Sequence, residues 1–230
     1  MIIVGERLNS TREPVSRIVL PAGSAAVRRW VFEPPVVPAD LILRLQKHRH
    51  PARVPGPIRE AAEAMAAEAS RLTAPEATVW RGLVTGVAPD GEVILDGVHR
   101  FRSRALARLL APADAAYVVA LTLGDALERH VDVFFKERWF LEGLFLDTAG
   151  WVAIEILMRE VRRRLSAQEQ SAGRIVTHRL APGFQDWLVD EQSALLRVFG
   201  DVPVPVRVTE FAWMLPRKSV SGLFGVCPAR

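Results

Sequence analysis

The sequence has little cysteine, no long apolar run and no glycine-rich phosphate loop, and each absence argues against a class of protein. Cys227 is the single cysteine, which excludes an internal disulfide framework and a cysteine-based metal cluster. No apolar stretch approaches the roughly 20 residues that span a bilayer, and the N-terminus shows no signal-peptide pattern. We therefore expect a cytoplasmic protein with no membrane partner. The chain also lacks the glycine patterns of a phosphate loop and of a serine nucleophile elbow.

The composition predicts a folded, mildly basic protein. Half of the 230 residues are apolar and 24% are charged, which is enough for a sizeable core. The net charge of +4 suits an acidic partner or a phosphate-bearing ligand, and it equally suits an ordinary protein from an arginine-rich proteome. The aromatic residues are spaced as core residues and do not alternate with arginines, so we expect no nucleic-acid partner.

Proline divides the chain into two predicted parts. Repeated prolines up to position 57 argue against long helices there, and we predict one short turn of helix over 41–46. We predict an irregular N-terminal extension over 1–56 and one α+β domain over 57–230, with helices packed on a mostly antiparallel, twisted sheet. The helices are predicted over 58–72, 124–135, 139–165 and 186–199. The strands are predicted over 78–87, 92–98, 115–123, 207–213 and 219–226, with a short strand and helix over 99–110, a loop over 166–174 and a strand or loop over 177–184.

The longest predicted helix, 139–165, carries apolar residues at helical spacing, which predicts one buried face. They are Leu144, Trp151, Ile154, Met158, Val161 and Leu165.

One segment near the C-terminus combines three features that suit a charged small ligand. Pro182 and Gly183 predict a tight turn that fixes the direction of nearby backbone groups. Arg179 supplies a guanidinium, which grips a carboxylate with two parallel hydrogen bonds. Phe184 supplies an aromatic face that attracts a cation. The combination suits an amino acid that carries a sulfonium, and it also suits a structural loop with a surface arginine and a core phenylalanine.

Two blocks at a fixed separation resemble a known family. The first is Arg179 followed by the Ala-Pro-Gly-Phe sequence of 181–184, and the second comprises the Thr-Glu pair at 209–210, Pro216 and the Ser-Val-Ser-Gly sequence of 219–222. They resemble the S-adenosylmethionine-binding activation domain of cobalamin-dependent methionine synthase, and in particular its stand-alone, activation-domain-like members. The resemblance is strongest over 177–226 and extends upstream to about residue 115, which is about half of the chain.

The resemblance implies a cofactor-binding site and no catalytic or metal-binding residue. Arg179 would hold the ligand's carboxylate, and the backbone of Ala181 would meet its polar atoms. Phe184 would lie near the methyl group and the corrin, with Phe224 as a second aromatic. The implied cofactor-binding residues are Arg179, Leu180, Ala181, Pro182, Gly183, Phe184, Ser219, Ser221 and Phe224.

The chain departs from the family pattern at three points. Phe184 stands where the synthase usually has tyrosine, so the hydroxyl is lost and the ring is kept. An ungapped match puts Trp151 at an acidic ligand contact, with Glu155 one helical turn further on. No counterpart of the synthase's N-terminal acidic contact is present. Losing a charge-assisted hydrogen bond costs about 1.5–3 kcal/mol, so these departures weaken the expected binding.

The resemblance implies a stand-alone reactivation module of a methionine synthase-like system in methionine biosynthesis, a component of methyltransferase activity. S-adenosylmethionine would serve the reductive methylation of cob(II)alamin, with the cobalamin held by a corrinoid-binding methyltransferase partner and a flavodoxin- or ferredoxin-like protein as electron donor. The alternative is a docking protein for the corrinoid protein that has lost S-adenosylmethionine binding. An enzyme that uses the same pocket for another substrate stays a third option.

A second, shorter resemblance lies at the N-terminus. Residues 5–11, Gly-Glu-Arg-Leu-Asn-Ser-Thr, resemble the opening of the pterin-binding methyltransferase barrel that also works with cobalamin proteins. The chain has no room for that barrel, and a short strand and turn explain the segment equally well.

Overall fold

The computed structural model describes residues 26–229, so the 5–11 segment lies outside the described residues. The strands are β1 (Ala26–Val31), β2 (Glu76–Val87), β3 (Glu92–Leu95), β4 (His99–Arg102), β5 (Ala115–Thr122), β6 (Arg174–Val176), β7 (Arg207–Val208), β8 (Met214–Leu215) and β9 (Ser219–Pro228). The helices are α1 (Ala39–Leu45), α2 (Gly56–Leu72), α3 (Arg104–Leu110), α4 (Ala126–Lys136), α5 (Phe140–Gln170) and α6 (Gln192–Leu196), with 3₁₀ turns at Pro51–Arg53, Val189–Glu191 and Arg197–Phe199.

Seven strands form one antiparallel sheet, in the order β4-β3-β2-β5-β9-β6, with β1 paired to the first half of β2. Strands β7 and β8 form a separate two-stranded ribbon. The predicted α+β fold, with helices packed on a mostly antiparallel sheet, is confirmed. The hairpin predicted around Asp90 and Gly91 is also present, as β2 and β3.

Strand β5 lies inside the sheet and is buried on both faces. It pairs with β2 along one side and with β9 along the other. Tyr117 and Val119 point to one face, and Ala116 and Val118 point to the other. A strand buried on both faces has an uninterrupted apolar sequence instead of an alternating one, which explains the run that predicted it.

Each face of the sheet has its own apolar core. On one face α1, α2, α4 and α5 pack over the strands, and we call this the helix-side core. On the other face α3, α6 and the loops around them cover the strands, and we call this the loop-side core. Helix α5 is the longest element. It has 31 residues, which at 1.5 Å per residue is about 46 Å.

The predicted irregular extension is only partly irregular. Within its described part, β1 joins the main sheet by pairing with β2, and α1 buries Ile42 and Leu43 in the helix-side core. The helix is seven residues long, whereas the sequence predicts a single turn. Strand β1 ends before the next proline, Pro34. Helix α1 begins directly after Pro38, at a position where a missing N–H costs nothing.

Four further predictions are wrong in detail. The loop predicted over 166–174 is the end of α5 followed by β6. The helix predicted over 186–199 is a short α6 between two 3₁₀ turns. The strand predicted over 207–213 stops at Val208. In the stripe of α5, Leu144 and Trp151 are exposed, while its other four members are buried.

None of the helices within residues 26–229 combines the length and apolar content needed to cross a membrane.

Candidate functional site

The segment 177–184 is a loop that runs beside β9 and is hydrogen-bonded to it at Thr177, whose N–H donates to the Gly225 carbonyl at 3.0 Å, and at Leu180. Leu180 and Leu223 form an isolated antiparallel bridge, with N···O distances of 3.0 and 2.7 Å in the two directions. The Leu180 side chain is buried in the loop-side core. The bridge therefore fixes the position of the preceding residue, Arg179, along β9.

The predicted turn at Pro182 and Gly183 is present. Gly183 has a φ of +90°, which L-residues rarely adopt. Its N–H donates to the carbonyl of Trp187 at 2.8 Å, and the Phe184 N–H donates to the carbonyl of Ala181 at 3.1 Å. Trp187 anchors the turn, because its side chain is only 1% exposed and stacks edge-on against Phe101.

Asp186 fastens the same turn to α3. Its carboxylate accepts hydrogen bonds from the Ala105 N–H at 3.0 Å, the Ser103 hydroxyl at 2.8 Å and the Arg104 N–H at 2.8 Å. These bonds lower the pKa of Asp186 to about 2. They satisfy backbone donors that the first turn of a helix leaves unpaired. The sequence predicts that Asp186 begins a helix, but its carboxylate instead caps the start of α3.

Arg179 crosses β9 at Gly222 and turns towards α5. A Cβ atom at residue 222 would stand 2.5 Å from Cγ of Arg179, so only glycine leaves room for the arginine stem. Nη1 donates to the Ser221 carbonyl at 2.9 Å, and Nη2 lies 3.8 Å from Oε1 of Glu155. Burial lowers the pKa of Arg179, and the charge of Glu155 opposes that shift. The guanidinium therefore lies in a poorly solvated position where an anion would be attracted.

Phe184 is the exposed partner of Arg179. Its side chain is 57% exposed, and the centre of its ring lies 6.0 Å from the guanidinium carbon. Arg179 and Phe184 are therefore brought together, as the carboxylate-binding and aromatic roles require. Ala181 and Pro182 between them are buried, whereas Gly183 is exposed.

The other three predicted site residues lie in β9 and are buried. The Ser219 hydroxyl bonds to Thr122, 2.8 Å between the oxygens, and the Ser221 hydroxyl bonds to Gln192, 2.7 Å from Nε2. Phe224 is 1% exposed and belongs to the helix-side core. Ser221 reaches the loop through its backbone, since its carbonyl accepts from Arg179. The structure places the Phe224 ring in the core and away from solvent.

A second cation that the sequence does not single out lies on the same face of α5. Lys218 is 4% exposed, its Nζ lies 2.7 Å from Oδ1 of Asp147, and its ammonium is 4.5 Å from the centre of the Trp151 ring. Burial lowers the pKa of Lys218, and the hydrogen bond to Asp147 opposes the shift. Its stem passes over Gly150, where a Cβ would meet Cε at 3.0 Å. Such a lysine is hard to find from sequence, because its partners are 67 to 71 positions away.

Asp147, Trp151 and Glu155 follow one another at a spacing of four along α5, so they form one stripe of the helix. We call this stripe, together with Lys218, Arg179 and Phe184, the α5 cleft. It contains two acids, two cations and two exposed aromatic rings. Across residues 26–229, no group of three or more histidine, cysteine or acidic side chains has a metal-binding arrangement.

An open polar pocket lies elsewhere, between the β3–β4 hairpin and the turn at Val189–Glu191. It is lined by Asp90, Glu92, Arg100, Phe101, Arg102 and Glu191. The charges in it pair with each other, as in Arg100 with Glu92 at 2.9 Å and Arg102 with Asp90 at 3.5 Å. This pocket contains none of the residues of the predicted site, whereas the α5 cleft contains Arg179 and Phe184, so we place the candidate site at the α5 cleft.

Comparison with known proteins finds a likeness of structure. No family model matches the chain, and no curated protein matches it. Among solved structures, the crystal structure of the MetH reactivation domain bound to AdoHcy is similar, with a TM-score of 0.58 and 13% sequence identity over 98% of this chain and 84% of that chain. The chain has the fold of the MetH reactivation domain. The likeness covers nearly the whole length of the chain, including the part before residue 115 where the sequence resemblance fades.

Proposed function

We propose that the chain binds S-adenosylmethionine, and the product AdoHcy, in the α5 cleft and acts as a stand-alone reactivation module for a cobalamin-dependent methyltransferase. The observation that carries this proposal is the placement of Arg179. Its guanidinium is held beside exposed Phe184, in a fold shared with a domain that was crystallised with AdoHcy.

The residues of the cleft fit the amino-acid part of such a ligand. Only Nη1 of Arg179 donates a hydrogen bond within the described part of the chain, which leaves Nε and Nη2 to grip a carboxylate. Two parallel, charge-assisted hydrogen bonds are the usual geometry of that grip. The exposed ring of Phe184 offers a face for the sulfonium or the adenosine.

The chain would orient its ligand and leave the chemistry to the bound groups. Bound S-adenosylmethionine would supply the methyl group, and a flavodoxin- or ferredoxin-like donor the electron, for reductive methylation of cob(II)alamin on a corrinoid-binding partner, with AdoHcy left behind. Because a sulfonium is already a good leaving group, the site needs no general acid or base. The exposed side chain of Phe184 suits transfer to a group that another protein presents.

Calorimetry with S-adenosylmethionine and AdoHcy tests the binding. We expect the Arg179→Ala variant to lose about 100-fold or more in affinity for both ligands, because two hydrogen bonds to a carboxylate disappear, each worth about 1.5–3 kcal/mol. The Arg159→Ala variant is the matched control, since Arg159 is an exposed arginine of α5, one turn beyond Glu155, and has no part in the proposed carboxylate grip. Thermal melting checks that both variants are folded. Unchanged affinity in folded Arg179→Ala contradicts the carboxylate role.

A docking protein without the small ligand is the second candidate, and one observation favours it. Both cations of the cleft already have acidic partners in this chain, Arg179 with Glu155 and Lys218 with Asp147. Titration with the cobalamin-binding part of a methionine synthase separates the two candidates. Binding of that partner, with no heat from millimolar S-adenosylmethionine or AdoHcy, supports the docking protein and rejects the first proposal.

A further inference from the structure

The corner between α4 and α5 carries a group of exposed apolar side chains, which we call the aromatic tip. Its members are Phe135, Trp139, Phe140, Leu141 and Leu144. Trp139 is 57% exposed and Phe140 is 59% exposed, although both side chains are large and apolar. A patch of this kind on a folded chain usually marks a surface that another molecule covers.

Contacts between the two helices fix the rings of the aromatic tip. Arg138 has a φ of +65°, which closes the turn between α4 and α5. The ring of Phe134 stacks on Trp139, with the ring centres 5.6 Å apart. The rings of Phe135 and Phe140 lie 6.4 Å apart. The exposed rings are thus pre-organised, so that their burial in an interface would cost little side-chain entropy.

Four charged residues accompany the tip, and we call them the charged rim. Lys136, Glu137 and Arg138 lie at the end of α4 and in the turn, and Glu142 lies in the first turn of α5. Within residues 26–229 none of the four forms an ion pair, whereas the charges nearer the start of α4 are paired. The charged rim therefore offers two cations and two acids to a binding partner.

This charge pattern favours a second copy of the chain over other occupants. In a two-fold arrangement the same patch comes from both copies, so each cation of the charged rim can meet an acid of the other copy. Anionic lipids of a bilayer would instead repel Glu137 and Glu142. A separate acidic or basic protein would leave half of the charged rim facing a like charge.

The size of the aromatic tip also suits a dimer. An aromatic side chain offers about 150–250 Å² when fully exposed, so the five half-exposed side chains leave on the order of 500 Å² of apolar surface open. With the charged rim, this area approaches the roughly 800 Å² that each partner contributes to a standard interface. An area at this lower end predicts a reversible dimer.

We propose that the chain forms a two-fold homodimer through the aromatic tip, with Trp139 and Phe140 as its anchors and the charged rim paired between the copies. Buried aromatic anchors of this kind carry most of the binding energy of an interface. The proposal does not depend on the proposed function. At 1.5 Å per residue, Phe140 lies about 22 Å along α5 from Glu155, which is the residue beside Arg179.

Sedimentation equilibrium of the full chain, from low to high micromolar concentration, tests the proposal. We expect the mass to rise from that of one chain to that of two. Phe140→Ala should weaken the association by at least about 10-fold, because it removes an anchor. The matched control is Ile175→Ala, an exposed apolar residue of β6, which follows the opposite end of α5, and it should leave the association unchanged.

Charge-swap variants test the charged rim without removing an apolar contact. Lys136→Glu with Arg138→Glu makes the rim entirely acidic, and Glu137→Lys with Glu142→Lys makes it entirely basic. Each variant alone should stay monomeric, because like charges then face each other. An equimolar mixture of the two should associate again, since opposite charges meet. Thermal melting checks that both variants are folded.

Dimers that Phe140→Ala weakens and that the charge-swap mixture restores support the proposal. A wild type that stays monomeric at high micromolar concentration overturns it, and the tip then belongs to another occupant if that monomer binds phosphatidylglycerol vesicles or the cobalamin-binding part of a methionine synthase through Phe140. A dimer that Phe140→Ala leaves intact, or that Ile175→Ala weakens equally, also overturns it. A mixture that does not associate rejects the two-fold pairing of the charged rim.

Discussion

Glu169 shows how single residues hold this fold together. It is buried at the C-terminal end of α5 and accepts hydrogen bonds from Arg81 at 2.9 Å, Tyr117 at 2.6 Å and Arg174 at 2.6 Å. Burial alone would raise its pKa, but the hydrogen bonds from Arg81 and Tyr117 and the charge of Arg81 outweigh burial and lower it. The three partners come from β2, β5 and β6, so one carboxylate joins three strands to the long helix.

Tyr117 provides a prediction at this scale. Burial and the hydrogen bond to Glu169 raise its pKa to about 12 from a usual value of 10.0. Because the folded pKa is raised, this contribution to stability is complete below pH 10 and is lost as the pH rises towards 12. Tyr117 is the only tyrosine, so the ultraviolet absorbance of tyrosinate reports on it alone. We expect a titration midpoint well above 10 while circular dichroism shows a folded protein.

The matched variant for this prediction is Tyr117→Phe, which keeps the ring and removes the hydroxyl. Its unfolding free energy should decline less between pH 10 and 12 than that of the wild type. A tyrosinate midpoint near 10 in the folded wild type contradicts the buried hydrogen bond.

At the scale of elements, the loop over 177–184 packs closely against β9 at Gly222, and this contact requires a residue without a side chain. The stem of Arg179 lies on Gly222, and the Leu180 carbonyl would be 3.2 Å from a Cβ there. Any larger residue at 222 must push the arginine off the strand. The position of Arg179 therefore depends on the glycine that ends the Ser-Val-Ser-Gly block. This contact explains why the block ends in glycine, which the sequence alone does not show.

We predict that Gly222→Ala lowers the free energy of unfolding by about 1–3 kcal/mol, the usual cost of an overpacked site, as measured by denaturant titration. In an Arg179→Ala background the same substitution should cost less, because the clashing stem atoms are gone. The double-mutant cycle isolates the energy of the clash between the residue at position 222 and the stem of Arg179. An equal cost in both backgrounds would show that the clash is not with Arg179.

The sequence predicts best those elements whose signal is local. Helix α2 is rich in alanine and glutamate and follows a proline, and β5 is a continuous apolar run, so both were predictable from their own residues. The helix expected over 186–199 fails because Asp186 uses its carboxylate on α3, more than 80 positions away in sequence. The strand expected over 207–213 fails because a turn with Ala212 at φ +61° interrupts it. In both cases distant or conformational constraints override local propensity.

At the scale of the whole molecule, the candidate site lies where the two cores meet across β9. Leu180 enters the loop-side core, while Arg179 reaches over Gly222 towards α5 on the helix side. The sequence motif was sufficient to find Arg179 and Phe184, because those two are five positions apart. It could not show that Lys218 and Asp147 share the same cleft, since only the folded sheet and α5 bring them together.

The most direct test of the central claim is a crystal structure of the chain with AdoHcy. We predict that the ligand's carboxylate lies within hydrogen-bond distance of the guanidinium of Arg179, with the ligand between α5 and the ring of Phe184. AdoHcy bound in another place, such as the polar pocket around Arg100 and Glu191, would contradict the claim, as would crystals grown in millimolar AdoHcy that show none in the cleft.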